Sequence, residues 1–409
     1  MPAGDRRLYL KVESGGAKAD RHCSPMPDCH ALFQAAERLH AQLVDRHVAG
    51  GLLRGPDPGV RMNLRVWRFV KSAVPFLPWG DDYVFLQSQG YWILANWMLY
   101  EAGGDARFRR LAIEATEAVL RLETPEGFWR YPLPERRHLV ATVEGNWGAV
   151  GLLASFARES RPEWLDGAER WYRYLTERIG FQPHSSGKAI NYFDRPRGKI
   201  PNNSVEAAWL FLRLWKATGD ARVLENVEPM LVFVAAEQLA TGELPYIVDG
   251  PYERRRDHYL CYQYNAFEFL KLAWCERLRP AATTHRILPT LARFLEGGVR
   301  VNGASATDCF HTAAGPEVDY YTAALGAALS EARRLGSLSG RDADDRCYAR
   351  VLQRQRPDGS FAFSTGDWGL LRDGRSYPRQ SVMTLFHLLY GCGLGDGFGE
   401  ALDDRGVSA

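Results

Sequence analysis

Apolar residues recur along this chain in two alternating patterns. In one kind of segment they follow helical spacing on a single face: within residues 105–122, Phe108, Ala112 and Val119 share a face and Arg109 lies away from it. In the other kind, apolar and small residues continue nearly all round the helix. The alternation predicts helices with one wet face between helices that are buried on every side.

The buried segments are regularly spaced. They begin near Tyr83, Glu144, Ser204, Tyr262, Asp319 and Pro378, and successive starts are 57 to 61 residues apart. The amphipathic helices are predicted between them, at about 29–48, 105–122, 162–179, 221–239, 281–296 and 341–355. A repeat of this length indicates an array of helical hairpins. We therefore predict an all-α (α/α)6 toroid, in which six inner helices are surrounded by six outer ones.

Three of the amphipathic helices end in one shared turn pattern, Gln/Glu-x3-Gly-x-apolar. It runs from Glu123 to Trp129, from Gln238 to Leu244 and from Gln355 to Phe361. The glycine predicts a left-handed helix end, and the apolar residue after it is expected to pack back on the hairpin.

This turn resembles the repeat of the prenyltransferase and squalene-cyclase β-subunit type. The segments 86–100, 127–134 and 145–156 resemble the helical domain of glucuronyl C5-epimerases. Together these resemblances imply a member of the α/α-toroid superfamily, which includes six-hairpin sugar-processing enzymes. They support the fold more than any one reaction, because similar turns serve different chemistries on this architecture.

No linker divides the chain, so we predict a single toroid domain over residues 21–399. Residues 1–20 are predicted to be a flexible N-terminus and residues 400–409 a C-terminal tail. The longest insertion, 181–203, is expected to form a lid or a rim.

Composition excludes several classes of protein. Lys and Arg number 51 and Asp and Glu number 49, so the chain lacks the excess of positive charge with which proteins bind nucleic acid. No apolar run approaches the roughly 20 residues that span a bilayer. Seven scattered cysteines, an odd number, favour a reducing compartment, and we predict a cytoplasmic protein. The sequence does not predict the oligomeric state.

Every inner helix begins with amides, acids or tyrosines at corresponding positions of the repeat. A buried polar group without a partner costs roughly 1–3 kcal/mol. We therefore expect these helix starts to surround a polar, water-filled cavity that binds a ligand with many hydroxyl groups. For any single residue, helix capping is the alternative, because acids and Asn or Ser are favourable in a first helical turn.

The favoured function is a carbohydrate-active enzyme that uses acid–base chemistry on a sugar or a uronic-acid-containing glycan, by hydrolysis, elimination or epimerisation. The predicted catalytic residues are Glu144, Glu206 and Asp319, with Tyr262, Tyr320, His311 and Arg379 as a second set. The predicted substrate-binding residues are Gln89, Asn146, Trp147, Asn203, Gln263, Asn265 and Tyr321. No cofactor and no metal are predicted.

Two other functions stay open. Asp342-Ala-Asp344-Asp345 matches the acidic motif of class II terpene cyclases, in which the middle Asp protonates an alkene. Its position at the start of an outer helix predicts an exposed N-terminal acid instead. An isoprenoid cyclase requires a dry, aromatic-lined cavity, whereas a sugar enzyme requires a wet, amide-lined one. The third possibility is a non-catalytic toroid that binds a glycan or a protein.

Two metal-ligand patterns are weak. His22, Cys23, Cys29 and His30 flank a short loop, but five residues between the cysteines is unusual for zinc. Asp308-Cys309-Phe-His311 is similar to part of the prenyltransferase zinc site. A histidine at the matching distance in the last inner helix is not evident, because His387 lies in the middle of that helix, where it is expected to be core.

Overall fold

The computed structural model describes residues 29–60, 66–77, 79–250, 253–309, 315–339 and 342–395. Helices are numbered α1–α13 in chain order. The inner helices found in this part of the chain are α3 (Leu86–Gly103), α5 (Thr142–Glu159), α7 (Pro201–Thr218), α9 (Cys261–Leu278), α11 (Asp319–Arg334) and α13 (Pro378–Leu389). The outer helices are α1 (Cys29–His47), α4 (Ala106–Leu122), α6 (Pro162–Tyr174), α8 (Val227–Glu237), α10 (Ala282–Glu296) and α12 (Ala343–Arg354).

The predicted (α/α)6 toroid is confirmed. Each inner helix packs against the inner helices on either side, and α13 returns to contact α3, so the inner ring is closed. Each outer helix packs mainly on the inner helix of its own hairpin, and α1 pairs with α13, so the first helix completes the last hairpin. Predicted helix starts agree with the structure to within three residues, except that α8 begins at Val227 because a 3₁₀ helix, Ala221–Asn226, precedes it. The first inner helix begins at Leu86 rather than near Tyr83, because Tyr83 pairs with Gly55 as an isolated bridge.

Shorter elements lie on the connections. The short helix α2 (Trp67–Ala73), which the sequence pattern does not predict, lies between α1 and α3. The strands are β1 (Val48–Ala49), β2 (Leu52–Leu53), β3 (Phe181–His184), β4 (Gly187–Ile190), β5 (Glu317–Val318), β6 (Ser364–Asp367) and β7 (Leu371–Asp373). Pairs β1–β2 and β3–β4 and the sheet β5–β6–β7 are antiparallel. The predicted rim insertion thus contains the β3–β4 hairpin. No helix among the described residues is long and apolar enough to cross a membrane.

Neighbouring outer helices are joined by close glycine contacts. After each outer helix, one glycine lies so near the next outer helix that an added Cβ would come within 2.2 to 2.8 Å of its atoms. The glycines and the residues they approach are Gly51 with Glu114, Gly127 with Arg170, Gly187 with Pro229, Gly242 with Thr290, Gly303 with Arg346 and Gly359 with Arg38. The last contact joins the end of α12 to α1 and closes the outer ring.

An aromatic belt closes the axis of the inner ring. Tyr91, Trp147, Trp209, Trp274 and Phe386 come from five inner helices, and neighbouring ring centroids lie 3.9 to 6.1 Å apart. The belt returns from Phe386 to Tyr91 at 5.1 Å. These rings are fully or almost fully buried. Since they lie deeper along the inner helices than the polar first turns, they form the floor beneath those turns.

Candidate active site

The first turns of the inner helices surround a polar pocket of about 160 Å³ on the ring axis. Its lining residues are Gln87, Tyr131, Val143, Glu144, Tyr192, Ile200, Asn202, Asn203, Glu206, Tyr246, Gln263, Tyr264, Phe267, Lys271, Tyr320, Arg379, Gln380 and Met383. Most of these side chains carry a hydroxyl, an amide or a charge. The pocket is therefore wet rather than dry, the property that separates a sugar site from an isoprenoid site.

Part of the predicted site is gathered here. Glu144, Asn203, Glu206, Gln263, Tyr320 and Arg379 all line the pocket. Among the predicted residues, these six come from five different inner helices, which explains why no short sequence motif contains them.

Three predicted amides point to the outer layer instead. The side chain of Gln89 bonds both backbone groups of Leu53, at 2.9 and 2.7 Å, and Asn265 bonds those of Leu244 at 2.7 and 3.2 Å. Asn146 accepts a hydrogen bond from the Trp171 ring at 3.0 Å. Leu53 and Leu244 each lie two residues after a turn glycine. Gln89 and Asn265 therefore anchor turns to inner helices, Asn146 contacts the outer helix α6, and none of the three amides lines the pocket.

Two predicted aromatic residues also lie outside the pocket lining. Tyr262 stacks on Phe294 of α10, with centroids 4.9 Å apart. Tyr321 packs edge-on against Tyr320 at 4.5 Å. Trp147 belongs to the aromatic belt and donates to Glu206 Oε2 at 2.9 Å, so it reaches the pocket through that carboxylate.

Asp319 is directed towards the outer ring. Its carboxylate is ion-paired with Arg354 of α12, and it lines a small adjoining cavity next to Tyr320 rather than the central pocket. Burial raises the pKa of Asp319 to about 7, against the lowering effect of Arg354. His311 lies outside the described residues.

Glu144 has the most unusual electrostatic environment in the pocket. Its Oε2 atom accepts hydrogen bonds from the backbone N–H groups of Leu86 at 2.6 Å and Gln87 at 3.3 Å, in the first turn of α3. Burial raises the pKa of Glu144 to about 7, although the Arg379 charge and the two hydrogen bonds oppose the rise. Near neutral pH this carboxyl group can therefore both give and take a proton.

The cations of the pocket are held by carboxylates. Arg379 donates to both oxygens of Asp57, at 2.7 and 2.9 Å, and to Gln87 Oε1 at 3.3 Å. Lys271 forms a buried ion pair with Glu206 Oε2. The other oxygen of Glu206 is buried and has no hydrogen-bond partner among the described residues. Glu206 Oε1 is therefore available to a ligand, and the Lys271 ammonium stabilises the negative charge of this carboxylate.

Tyrosines make up a large part of the pocket lining. Among the described residues, Tyr131, Tyr192, Tyr246, Tyr264 and Tyr320 line the pocket, and only Tyr320 was predicted. Burial raises the pKa of Tyr131 to about 12 and that of Tyr320 well above its ordinary value. These phenols are therefore neutral at physiological pH and suited to hydrogen bonding rather than to removing protons.

A repeated signal could have found two of these tyrosines. Tyr131 and Tyr246 each lie four residues after a turn glycine, Gly127 or Gly242, and Phe363 takes the same place after Gly359. The missed Lys271 carries no comparable signal, since it lies more than two turns inside an apolar helix.

The acidic motif of the cyclase alternative lies in the outer layer. Asp344 is in the first turn of α12, pairs with Arg333, and does not line the pocket. The expected exposed role is wrong for Asp344, which is 2% exposed, because Arg333 covers it. For the first zinc pattern, His22 and Cys23 lie outside the described residues, whereas His30 Nε2 bonds Gln34 at 2.8 Å.

Comparison with known proteins gives structural likenesses only. No family model matches the chain, and no curated protein matches its sequence. A possible GH105 family member from Salmonella enterica matches with a TM-score of 0.65 and 11% identity over 92% of this chain and 96% of that one. Cellobiose 2-epimerase from Bacillus thermoamylovorans matches with a TM-score of 0.66 and 10% identity over 88% of this chain and 98% of that one. Glycosyl hydrolase family 88 from Bacteroides vulgatus matches with a TM-score of 0.62 and 10% identity over 90% of this chain and 99% of that one. At this identity the likeness supports the α/α-toroid fold.

Proposed function

We propose that this protein is a carbohydrate-active enzyme and that its acid–base chemistry takes place in the central pocket. The observation that carries the proposal is Glu144, whose carboxyl group titrates near neutral pH at the wall of a pocket lined by hydroxyl and amide groups. The structural likenesses agree, since the similar chains are described as a glycosyl hydrolase, a sugar epimerase and a possible GH105 member.

The paired charges favour a neutral sugar ring in the pocket. Arg379 is neutralised by Asp57 and Lys271 by Glu206, so among the described lining residues no cation is left over for a substrate carboxylate. Buried oxygens of Asn202, Gln263 and Gln380 have no hydrogen-bond partner within the described chain and can accept from sugar hydroxyls. The volume of about 160 Å³ is below the roughly 300 Å³ of small drug-sized sites, which fits one ring.

Hydrolysis is the reaction that the lining supports best. Glycoside hydrolysis needs one protonated and one ionised carboxyl group. Glu144 supplies the protonated group, and Glu206, beside the Lys271 ammonium, supplies the ionised one. Elimination and epimerisation need a base such as tyrosinate or histidine, whereas the pocket tyrosines are neutral and the described lining contains no histidine.

The test is a panel of neutral and uronic-acid oligosaccharides followed by mass spectrometry. Hydrolysis adds water across the cleaved bond, elimination leaves an unsaturated sugar, and epimerisation changes no mass but takes up deuterium from heavy water. We expect hydrolysis of a neutral glycan, with a rate that falls as the pH rises above about 7 and Glu144 loses its proton.

Matched variants separate catalysis from binding. Glu144→Gln and Glu206→Gln should each lower the rate by about 10²- to 10⁴-fold, while Glu126→Gln, an exposed control, should leave it unchanged. If both pocket variants keep the full activity on every converted glycan, the catalytic assignment is wrong. Glycan binding that survives without turnover in the unaltered protein would support a non-catalytic toroid.

The isoprenoid-cyclase alternative finds no support in this pocket, because its lining is polar and Asp344 is paired with Arg333 elsewhere. We also propose that the chain works in the cytoplasm, where its six described free cysteines would stay reduced.

A further inference from the structure

Four side chains with metal-binding atoms converge beside the N-terminus of α9, away from the pocket lining. Glu243, His258, Cys261 and Cys309 each offer one ligand atom, and all four atoms lie within 4.8 Å of one another. His258 Nδ1 is 2.8 Å from Glu243 Oε2 and 3.3 Å from Cys309 Sγ, and the two sulfur atoms are 3.6 Å apart. Among the described residues, this is the one group of its kind.

The local backbone brings these residues together from three distant segments. Glu243 follows the turn glycine Gly242, and Cys309 belongs to the connection between α10 and α11. His258 and Cys261 lie on either side of Leu260, which adopts a left-handed conformation with φ 47° and ψ 47°. A non-glycine residue rarely adopts this conformation. The turn at Leu260 therefore marks a place where surrounding interactions hold the backbone in shape.

We propose that Glu243, His258, Cys261 and Cys309 form a zinc site. Two thiolates, an imidazole and a carboxylate are a ligand set that suits Zn²⁺, whereas Mg²⁺ and Ca²⁺ prefer oxygen ligands alone. Binding requires both thiols to lose their protons to solvent, with the imidazole neutral and the carboxylate ionised. The site departs from the sequence prediction of no metal, and it joins Cys309 to ligands that the sequence pattern around it did not suggest.

The distances agree with a tetrahedral ion. Zinc bonds of roughly 2.0–2.3 Å to N, O and S place neighbouring ligand atoms about 3.3–3.8 Å apart at a tetrahedral centre. The observed 2.8, 3.3 and 3.6 Å separations need only small movements to reach those values. A disulfide would instead require the sulfur atoms to approach to about 2.05 Å.

Burial also fits an ion at this position. Glu243 is 1% exposed, and its Oε1 atom has no hydrogen-bond partner in the described part of the chain. The side chain of His258 is 33% exposed, which leaves a path for an ion from solvent. Four protein ligands close the coordination shell, as in structural zinc sites.

The site has a mechanical role in the fold. It ties the turn after α8 to the start of α9 and to the segment that leads to α11. These two inner helices carry Gln263, Tyr264 and Tyr320, which line the pocket. Zinc bound here would hold that side of the pocket in place without touching the substrate.

The experiment measures metal in the purified full-length chain, kept reduced and without an affinity tag that binds metal. We expect about one zinc per chain, and a Co²⁺-loaded sample should show thiolate-to-cobalt absorption and the visible bands of a tetrahedral centre. Cys261→Ser, Cys309→Ser and Glu243→Gln should lower the zinc content several-fold. Cys392→Ser, at a half-buried thiol near the end of α13, should retain it.

Three results would overturn the proposal. The first is reduced protein with both thiols free that binds neither Zn²⁺ nor Co²⁺. The second is a Cys261–Cys309 disulfide in the chain as isolated from the cell. The third is full zinc content in Cys261→Ser/Cys309→Ser. If those variants do not fold, the unaltered protein is treated with a chelator and Zn²⁺ is then added back. The melting temperature should fall on chelation and recover with Zn²⁺. An unchanged melting temperature in protein that has no metal bound contradicts the site. These readouts are independent of the proposed enzymatic activity.

Discussion

At the scale of single residues, Glu144 combines two tasks. It caps the first turn of α3 from a neighbouring helix, and it lines the pocket. Burial raises its pKa to about 7, above the ordinary value of 4.5, so the folded chain binds this proton more tightly than the unfolded chain. The resulting stabilisation is complete below pH 4.5 and is lost as the pH rises through about 7.

Glu144→Gln should remove this pH dependence. Relative to the variant, the unaltered protein is expected to lose roughly 3 kcal/mol of unfolding free energy between acidic and mildly alkaline pH. Urea unfolding at a series of pH values measures the difference, with Glu126→Gln as a control that should follow the unaltered protein. Parallel pH profiles for the unaltered protein and Glu144→Gln would show that the carboxyl group titrates normally.

The buried pair of Lys271 and Glu206 allows a second residue-scale prediction. Lys271→Met leaves the Glu206 carboxylate buried without its cation, which typically costs about 3–5 kcal/mol. Adding Glu206→Gln removes the stranded charge and should restore part of that loss. Denaturant unfolding measures both variants. An equal loss in the single and the double variant would indicate that packing, not charge, holds this position.

An exposed pair gives the comparison. Arg46 and Asp45 form an ion pair whose side chains are 67% and 75% exposed, so Arg46→Met should change stability by less than about 1 kcal/mol.

At the scale of elements, the turn glycines fix the spacing of the outer helices. Gly242 has φ 91°, and a Cβ there would lie 2.3 Å from the Thr290 carbonyl oxygen of α10. Gly219 has φ 71° but nothing within 4 Å of its Cβ position. Gly219→Ala should therefore cost only the roughly 1–2 kcal/mol of a left-handed alanine. Gly242→Ala should cost about 1–3 kcal/mol more, because the helices must move apart. If thermal unfolding shows that the two variants lose equal stability, the helices beside Gly242 can move apart at no energetic cost.

The same turns show how far sequence reasoning extends. Gly127, Gly242 and Gly359 were recognised because Gln or Glu precedes each by four residues. The corresponding Gly51, Gly187 and Gly303 have other residues at that position, so their equivalence appears only in their contacts with the next helix.

Site residues were harder to predict than helices, because successive residues on a helix point about 100° apart. A polar residue in a first turn therefore faces the axis or the outer layer according to the rotation of its helix. Glu144 faces the pocket while Asn146, two residues later, faces Trp171 of α6. The hydrophobic pattern does not fix that rotation when a helix is apolar on nearly all sides.

At the scale of the whole molecule, two equivalent glutamines test whether the ring is one cooperative unit. Gln238 donates to the carbonyls of Gly242 and of Ile287 on the next outer helix, at 2.9 and 3.2 Å. Gln355 donates in the same way to Gly359 at 3.0 Å and to Ala35 of α1 at 2.7 Å. The second of these joins the last outer helix to the first.

Gln238→Ala and Gln355→Ala should each lower the unfolding free energy by about 1–3 kcal/mol, because each variant loses two hydrogen bonds worth about 0.5–1.5 kcal/mol apiece. If the ring unfolds as a unit, both variants should keep a single transition with an unchanged denaturant slope. A separate early transition in Gln355→Ala alone would show that the hairpin of α1 and α13 opens independently. Hydrogen exchange of α1 would locate such an opening.

The pairing of α1 with α13 has a consequence for the order of the chain. Cys392 Sγ lies 3.5 Å from the carbonyl oxygen of Cys29, so the last helical segment ends beside the start of the first helix. A circular permutation that connects residue 395 to residue 29 through a short linker could therefore open the chain at the exposed Gly104 instead. Such a rearranged polypeptide would keep every helix pairing, but a continuous chain would then join α13 to α1, whereas α3 and α4 would pair without a connecting turn.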